Sequence, residues 1–131
     1  MASERYEIGL RIRKEVLGEK YVENAMKSAT EFDRELQNIL NEYVWGIVWS
    51  GKAIPRKYKS LINIALLAAM GRSNELKLHI KGAFRNGCTL EEVKEALIQA
   101  MIYAGAPAGV EGFRVAREAI EEMRKEGFEI R

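Results

Sequence analysis

The sequence has very few of the residues that most often form covalent links or metal sites. Among its 131 residues there is one cysteine, Cys88, and one histidine, His79. A single cysteine excludes an internal disulfide and leaves no cysteine cluster for a metal. Such sparse cysteine usage is typical of a reducing compartment. We therefore expect a cytoplasmic protein.

Long apolar runs, basic tracts and phosphate-binding motifs are also missing. The longest uncharged run, residues 60–70, is shorter than the roughly 20 apolar residues that span a bilayer, and the N-terminus has no apolar signal core. The net charge is +2, with charges of both signs interspersed along the chain. Glycine-rich phosphate loops, metal-ligand spacing and a Ser/His/Asp arrangement are absent. The sequence predicts a soluble protein with no membrane, nucleic-acid, metal or cofactor partner.

Helix signals dominate what remains. The two prolines, Pro55 and Pro107, each stand where a helix can start. β-branched residues are sparse, and no strand-like alternation persists. A chain of 131 residues suits one domain, here residues 1–131. The pattern predicts an all-α fold of six to seven helices.

Capping residues set the predicted boundaries. Ser3 is a predicted N-cap, Thr30 with Asp33 and Thr89 with Glu92 have capping-box spacing, and Ser73 is a further predicted cap. Together with the glycines and prolines they predict helices over residues 3–17, 19–29, 30–49, 55–70, 73–86, 89–104 and 107–125.

The fourth predicted helix is apolar nearly all round. A helix of this kind is buried on most sides, either inside its own subunit or against a partner. A chain of this size has only a small interior, so burial against a partner is a serious alternative. The sequence therefore predicts a homo-oligomer.

The fifth predicted helix carries the most reactive side chains. Arg72, Glu75 and His79 stand at i, i+3 and i+7, along one edge of its apolar stripe. A histidine at that border is partly desolvated, and a carboxylate one turn away can fix its tautomer or raise its pKa. The three residues form a workable acid–base unit with an anion-binding guanidinium. From spacing alone, an ordinary surface ion pair is the commoner alternative.

Aromatic residues form the second candidate group. Tyr43, Trp45, Trp49, Tyr58 and Tyr103 are candidates for the lining of an aromatic pocket. For each residue singly, core packing is the commoner role. Two further features have plainer explanations. Cys88 is an incidental thiol in a turn, and the pair Glu111 and Arg114 is a helix surface contact.

Eight short segments in order along the chain resemble the gamma-carboxymuconolactone decarboxylase family. They are Arg5-Tyr6-Glu7-Ile8-Gly9, Val16-Leu17-Gly18, Tyr43-Val44-Trp45-Gly46, Ser60-Leu61-Ile62, Gly71-Arg72-Ser73-Asn74-Glu75-Leu76-Lys77-Leu78-His79, Asn86-Gly87, Glu91-Glu92-Val93-Lys94-Glu95 and Tyr103-Ala104-Gly105-Ala106-Pro107-Ala108.

The resemblance implies a fold, an assembly and a reaction. The fold is the all-α alkylhydroperoxidase-D-like fold. The assembly is a homo-oligomeric ring, a hexamer or alternatively a trimer. The reaction is cofactor-free loss of CO₂ from a small lactone or carboxylic acid of aromatic catabolism. Arg72 would hold a carboxylate, and His79, tuned by Glu75, would deliver a proton to the carbon that loses CO₂. The implied substrate-pocket residues are Trp45, Trp49, Tyr103 and Ser60.

A comparison within the superfamily defines one alternative. The related thiol peroxidases carry a Cys-x-x-Cys ahead of a histidine, and here Arg72 and Glu75 take those two positions, while their upstream acid falls at Ser60. An oxidoreductase of that peroxiredoxin type therefore lacks its dithiol, and Cys88 supplies no resolving partner. A non-enzymatic oligomeric scaffold is the remaining alternative.

The resemblance also contains a departure. Family decarboxylases tend to read Trp-Gly-Glu-x-Trp-x-Arg where this chain has Ile47 in place of the acid and Ser50-Gly51 in the region of the arginine. Lys52 or Arg56 could replace the missing positive charge. A pocket without the acid and the arginine would accept a less charged substrate.

Overall fold

A computed structural model describes residues 2–131 and confirms the all-α class. Seven α-helices and one π-helix account for the regular structure, and no strand occurs in this part of the chain. They are α1 (Glu4–Leu17), α2 (Glu19–Ser28), α3 (Arg34–Ile39), the π-helix (Leu40–Val48), α4 (Arg56–Met70), α5 (Ser73–Arg85), α6 (Leu90–Ala104) and α7 (Ala106–Lys125).

The chain divides between Pro55 and Arg56 into two compact units. The first unit contains α1, α2, α3 and the π-helix, and the second contains α4 to α7. One domain over residues 1–131 stays a prediction. None of the helices within residues 2–131 combines the length and the apolar character that a membrane crossing requires.

Several predicted caps are confirmed by their hydrogen bonds. The Ser3 hydroxyl accepts from the Tyr6 backbone N–H, and α1 ends at Gly18, where φ is +96°. At the start of α6, Thr89 and Glu92 make both hydrogen bonds of a capping box. Local side-chain chemistry therefore sets these helix ends.

Two predicted caps are wrong. The Asp33 carboxylate accepts from the Thr30 N–H at 2.5 Å and from its hydroxyl at 3.0 Å, so both residues form a turn ahead of α3 rather than a capping box. Ser73 is not the cap of α5, because its hydroxyl donates to Glu111 Oε2 of α7 at 2.7 Å. A hydrogen bond to a charged carboxylate is stronger than one to a backbone group, and it draws the hydroxyl away from the helix end.

The predicted third helix also changes character along its length. The α-helical part ends at Ile39, and the chain continues as a π-helix in which the Trp49 N–H donates to Val44 O, five residues back. Nine residues of π-helix are unusual, and π segments are frequent at functional sites.

In the first unit, α1 and the π-helix approach each other at two glycines. A Cβ atom on Gly9 would lie 1.7 Å from the Asn41 carbonyl oxygen, and one on Gly46 would lie 2.5 Å from the Arg5 carbonyl oxygen. Both obstacles are backbone atoms, which a side-chain rotation cannot move. The residue without a side chain is therefore required at each crossing point.

A buried polar cluster ties the same helices together. Arg13 of α1 is 4% exposed and donates from Nη1 to Gln37 Oε1 at 2.9 Å and to Asn41 Oδ1 at 3.0 Å. Burial lowers the pKa of Arg13. Its Nε has no hydrogen-bond partner within residues 2–131. A buried guanidinium held by neutral amides depends strongly on them, since loss of either acceptor leaves charge unsolvated.

The second unit has an apolar core shared by its four helices. Close approach of α7 to α6 again depends on glycine, because a Cβ on Gly109 would lie 2.5 Å from the Met101 side chain. The fully buried core side chains of this unit include Ile64, Leu76, Ile80, Leu97, Val115 and Met123. Small residues near the start of α7 thus permit close packing against α6.

Helix α4 is buried on one side only. Ser60, Ile64 and Ala68 are buried, at a spacing of four residues. The opposite side is apolar but exposed on this chain, and we call it the α4 stripe: Tyr58, Ile62, Leu66 and Met70. The sequence predicted that this helix is buried either inside its own subunit or against a partner. On this chain, only one side of α4 is buried within the subunit.

Candidate functional site

The Arg72, Glu75 and His79 row lies at the start of α5. Arg72 is the N-cap residue, just outside the helix, whereas Glu75 is in the first turn and His79 lies one turn further on. Arg72 and Glu75 are exposed, while His79 is half-buried. The row therefore runs from solvent toward the interior of the second unit, with the imidazole at its inner end.

Burial dominates the electrostatics of His79. Desolvation lowers the pKa of His79 below its usual value, and the negative charge of Glu75 opposes that change without overcoming it. Glu75 raises the pKa as expected, but removing water around the imidazolium has the larger effect, so the net change is a decrease. In the free protein the imidazole is therefore mainly neutral at pH 7.

Two polar contacts join α4 to α5 around the histidine. Asn63 Nδ2 lies 3.5 Å from His79 Nδ1. Nearer the start of α4 and at the end of α5, Asn86 Nδ2 donates to Ser60 Oγ at 2.9 Å. Ser60 is fully buried, and its hydroxyl oxygen is engaged within the second unit.

Asn63 and Asn86 were missed as candidate residues in the sequence. Asn63 is a polar side chain inside the otherwise apolar run of residues 60–70, and that interruption was the available signal. Asn86 was considered only as the end of the fifth predicted helix and as part of a family-like segment. No spacing along one helix reveals a partner on another.

The start of α5 is anchored to α7. The Ser73 hydroxyl donates to Glu111, which also accepts from Arg114 at 2.7 Å and 2.6 Å. These hydrogen bonds lower the pKa of Glu111 to about 2. The predicted Glu111–Arg114 surface pair is confirmed, and through Ser73 it also fixes the residue next to Arg72.

The predicted pocket aromatics have different surroundings. Trp45 and Trp49, in the first unit, are buried and stack with ring centroids 4.7 Å apart and an interplanar angle of 21°. Tyr103, in the second unit, is 82% exposed on this chain. Tyr43 and Tyr58 are also exposed. The structure thus brings Trp45 and Trp49 together as a buried pair and leaves the tyrosines on the surface.

The segment that departs from the family pattern begins in the π-helix and continues past its end at Val48. Ile47 is exposed, and the Ser50 hydroxyl donates to the Gly46 carbonyl oxygen at 2.7 Å. Lys52 is exposed as well. At the position where family decarboxylases tend to carry an acid, this chain presents an apolar surface.

Cys88 has none of the features of a reactive thiol. It is 4% exposed, and its Sγ donates to the Lys57 carbonyl oxygen at 3.4 Å. Burial raises the pKa of Cys88 to about 11, so the thiolate is scarce at neutral pH. Thiol chemistry needs an accessible thiolate, so this environment disfavours the peroxidase alternative.

The side chains that commonly bind metals are not clustered in the described part of the chain. Within residues 2–131, no three His, Cys, Asp or Glu side chains are grouped so that they could hold a metal ion. The groups that the structure places at or acting on His79 are the Glu75 carboxylate and the Asn63 amide.

Comparison with known proteins gives the context for this site. The model of the Carboxymuconolactone decarboxylase family matches residues 34–118. A 4-carboxymuconolactone decarboxylase of Acinetobacter baylyi is 39% identical over 120 residues, covering 92% of this chain and 90% of the relative. A nitrosuccinic acid decarboxylase of Metarhizium robertsii is 38% identical over 122 residues, covering 93% and 85%. An uncharacterised protein of Methanocaldococcus jannaschii is 30% identical over 102 residues, covering 78% and 87%.

The family match contains both the π-helix and the α5 row, and the similarity to the two decarboxylases extends over almost the whole of each chain. On these grounds the chain belongs to the carboxymuconolactone decarboxylase family.

Proposed function

We propose that this protein is a cofactor-independent decarboxylase of a small lactone or carboxylic acid, in aromatic catabolism. The observation that carries the proposal is the half-buried, desolvated imidazole of His79, in a chain similar along most of its length to two proteins named as decarboxylases. His79 and Glu75 form the acid–base pair, and Arg72 is the anion binder.

The acids named in the two relatives share one chemical feature. In nitrosuccinic acid a carboxyl group and a nitro group are attached to the same carbon, so loss of CO₂ leaves a nitronate. In a carboxymuconolactone the electron pair released with CO₂ enters the unsaturated lactone and gives an enolate. The substrate class is therefore an acid whose decarboxylation places negative charge on an oxygen of a neighbouring acceptor group.

The bond between carbon and the departing carboxylate breaks, CO₂ leaves, and its electron pair enters the acceptor group. An imidazolium at His79 then transfers one proton to carbon, becomes neutral and regains its proton from solvent. A carboxylic acid anion bound near His79 raises the histidine pKa in the complex, which supplies the proton when it is needed.

Arg72 is assigned to a carboxylate that is retained through the reaction. Its exposed guanidinium is at the helix start, where five N–H donors can reach a planar anion. Holding the departing carboxylate would stabilise the ground state and slow the reaction. Both named acids carry a second carboxyl group, and we assign Arg72 to that group.

A substrate panel tests the proposed function. Purified protein is mixed with 4-carboxymuconolactone, nitrosuccinic acid and a simple dicarboxylic acid such as succinic acid, and CO₂ is measured. We expect release from at least one of the first two and none from succinic acid, which has no acceptor for the electron pair. Release no faster than the uncatalysed rate with both activated acids would refute the proposal.

We also propose that the chain assembles as a homo-oligomer, a hexameric ring with a trimer as the alternative. The α4 stripe supports this, because it leaves four large apolar side chains exposed at a spacing of four residues on one helix. Contiguous apolar surface of this kind marks interaction sites more often than free surface. A second copy of the same chain offers the same apolar stripe in return.

Light scattering on the purified protein tests the assembly. We expect a mass several times that of one chain for the wild type and a lower mass for Leu66→Lys, which places a charge in the α4 stripe. The matched control, Glu121→Lys on an exposed position of α7, is expected to keep the wild-type mass. A stable folded monomer at micromolar concentration would contradict the assembly.

A further inference from the structure

Asn63 is the residue whose position the proposed reaction leaves unexplained. It lies half-buried on α4, and its amide nitrogen is 3.5 Å from His79 Nδ1. A polar side chain in an apolar helix face loses solvent, so it is kept only where it has a partner. The distance is at the long end for a hydrogen bond, which is common for catalytic contacts before substrate binds.

A second contact holds the two helices in register around this pair. The Asn86 amide donates to the buried Ser60 hydroxyl at 2.9 Å. Ser60 and Asn63 are three residues apart on α4, so both lie on the face toward α5. The packing of α4 against α5 therefore holds the Asn63 amide next to the imidazole.

Charged side chains around α5 have several named partners. Glu75, on α5 itself, raises the pKa of His79, whereas burial lowers it. From α7, Glu111 accepts from Ser73, Glu118 pairs with Lys77, and Glu122 pairs with Lys77 and Lys81. Just past α7, Glu126 acts on Arg85. From α4, the uncharged Asn63 amide contacts His79 Nδ1.

We propose that Asn63 is a positioning residue that occupies Nδ1 of His79 and so assigns proton delivery to Nε2. The inference rests on the proposed function of His79. Which ring nitrogen carries the proton is set by the hydrogen bond that the other nitrogen makes. A residue on a different helix thereby selects the working tautomer.

An amide suits this task better than a carboxylate because it has both a donor and an acceptor. With neutral His79, the amide NH₂ donates to Nδ1, and the ring proton is on Nε2. When His79 gains a second proton, Nδ1 carries it, and the amide turns over so that its oxygen accepts. Nε2 then gives its proton to the carbanion, which leaves a neutral ring with its proton on Nδ1. Proton exchange with solvent and return of the amide restore the resting form with the proton on Nε2.

The single histidine makes this proposal directly measurable. In protein labelled with ¹⁵N-histidine, the only imidazole signals belong to His79. We expect the free wild type to show the proton on Nε2. In Asn63→Asp the carboxylate can only accept, so we expect the proton on Nδ1 and a pKa raised by about 1–3 units. In Asn63→Leu we expect a mixture of tautomers.

The NMR readout separates this inference from the proposed function, because it needs no substrate. If Asn63→Asp moves the tautomer and the pKa as expected while the wild type releases no CO₂, the Asn63 contact is supported and the function is refuted. An unchanged tautomer and pKa in Asn63→Asp would overturn the positioning role, whatever the activity. Aspartate is nearly the same size as the native asparagine, so the test stands even where Asn63→Leu does not fold.

Discussion

His79→Gln is expected to lower kcat/KM for decarboxylation by about 10²–10⁴-fold, the usual contribution of a positioned general acid. Glutamine keeps a polar group of similar length at the position, but its amide has no proton to give to a carbanion. The KM for substrate should change far less than kcat, because Arg72 rather than His79 is assigned to the retained carboxylate.

The pH profile provides a second readout of the same residue. The reaction consumes one proton, and kcat/KM refers to free protein and free substrate, so it follows the fraction of His79 that is protonated before substrate binds. Burial lowers the pKa of His79 below 6.5, so kcat/KM should fall as the pH rises above that lowered value. In His79→Gln this fall should disappear.

Asn74→Ala is the matched control for His79→Gln. Asn74 is an exposed residue on the same helix, so its replacement should leave both kcat/KM and the pH profile unchanged. Equal activity in wild type and His79→Gln would remove the histidine from the mechanism and leave its half-buried position with only a structural role.

Gly9→Ala is expected to destabilise the protein by about 3 kcal/mol or more, the upper range for overpacking. Alanine has the higher helix propensity, and by that measure alone the change would stabilise α1 by about 1 kcal/mol. The structure predicts the opposite sign, because the new methyl group would lie 1.7 Å from the Asn41 carbonyl oxygen. Relief requires α1 and the π-helix to separate.

Urea unfolding at one fixed protein concentration measures this effect, since assembly makes stability depend on concentration. Gly87→Ala is the control: φ is +93° there, but nothing lies within 4 Å of an added Cβ. It should cost only about 1–2 kcal/mol of backbone strain. Near-UV circular dichroism from the stacked Trp45 and Trp49 should weaken in Gly9→Ala alone. A free energy of unfolding equal to or above that of the wild type would contradict the close crossing.

Local chemistry explains which features of the fold were predictable. Ser3, Gly18 and the Thr89–Glu92 capping box act within one turn of their own helix, and each helix end was predicted from them. Ser73 was predicted as a cap and instead donates to Glu111, 38 residues away. A cap competes with every acceptor that tertiary packing brings near, and the sequence does not reveal those acceptors.

The candidate site shows the same limit. The row of Arg72, Glu75 and His79 was predictable because all three lie within two turns of one another along the chain. The sign of the His79 pKa shift was not, because desolvation depends on neighbours from other helices. The contact with Asn63 likewise joins residues 16 positions apart on two helices.

The most direct test of the central claim is a product balance in deuterated water. Wild-type protein is incubated with 4-carboxymuconolactone, or with nitrosuccinic acid where the panel selects it, and CO₂ and carbon-bound deuterium are both quantified. The account predicts that each molecule of CO₂ released is matched by one solvent-derived deuteron on carbon, at a rate that His79→Gln strongly reduces. Consumption of substrate without CO₂ release, or no consumption above the uncatalysed rate, would contradict it.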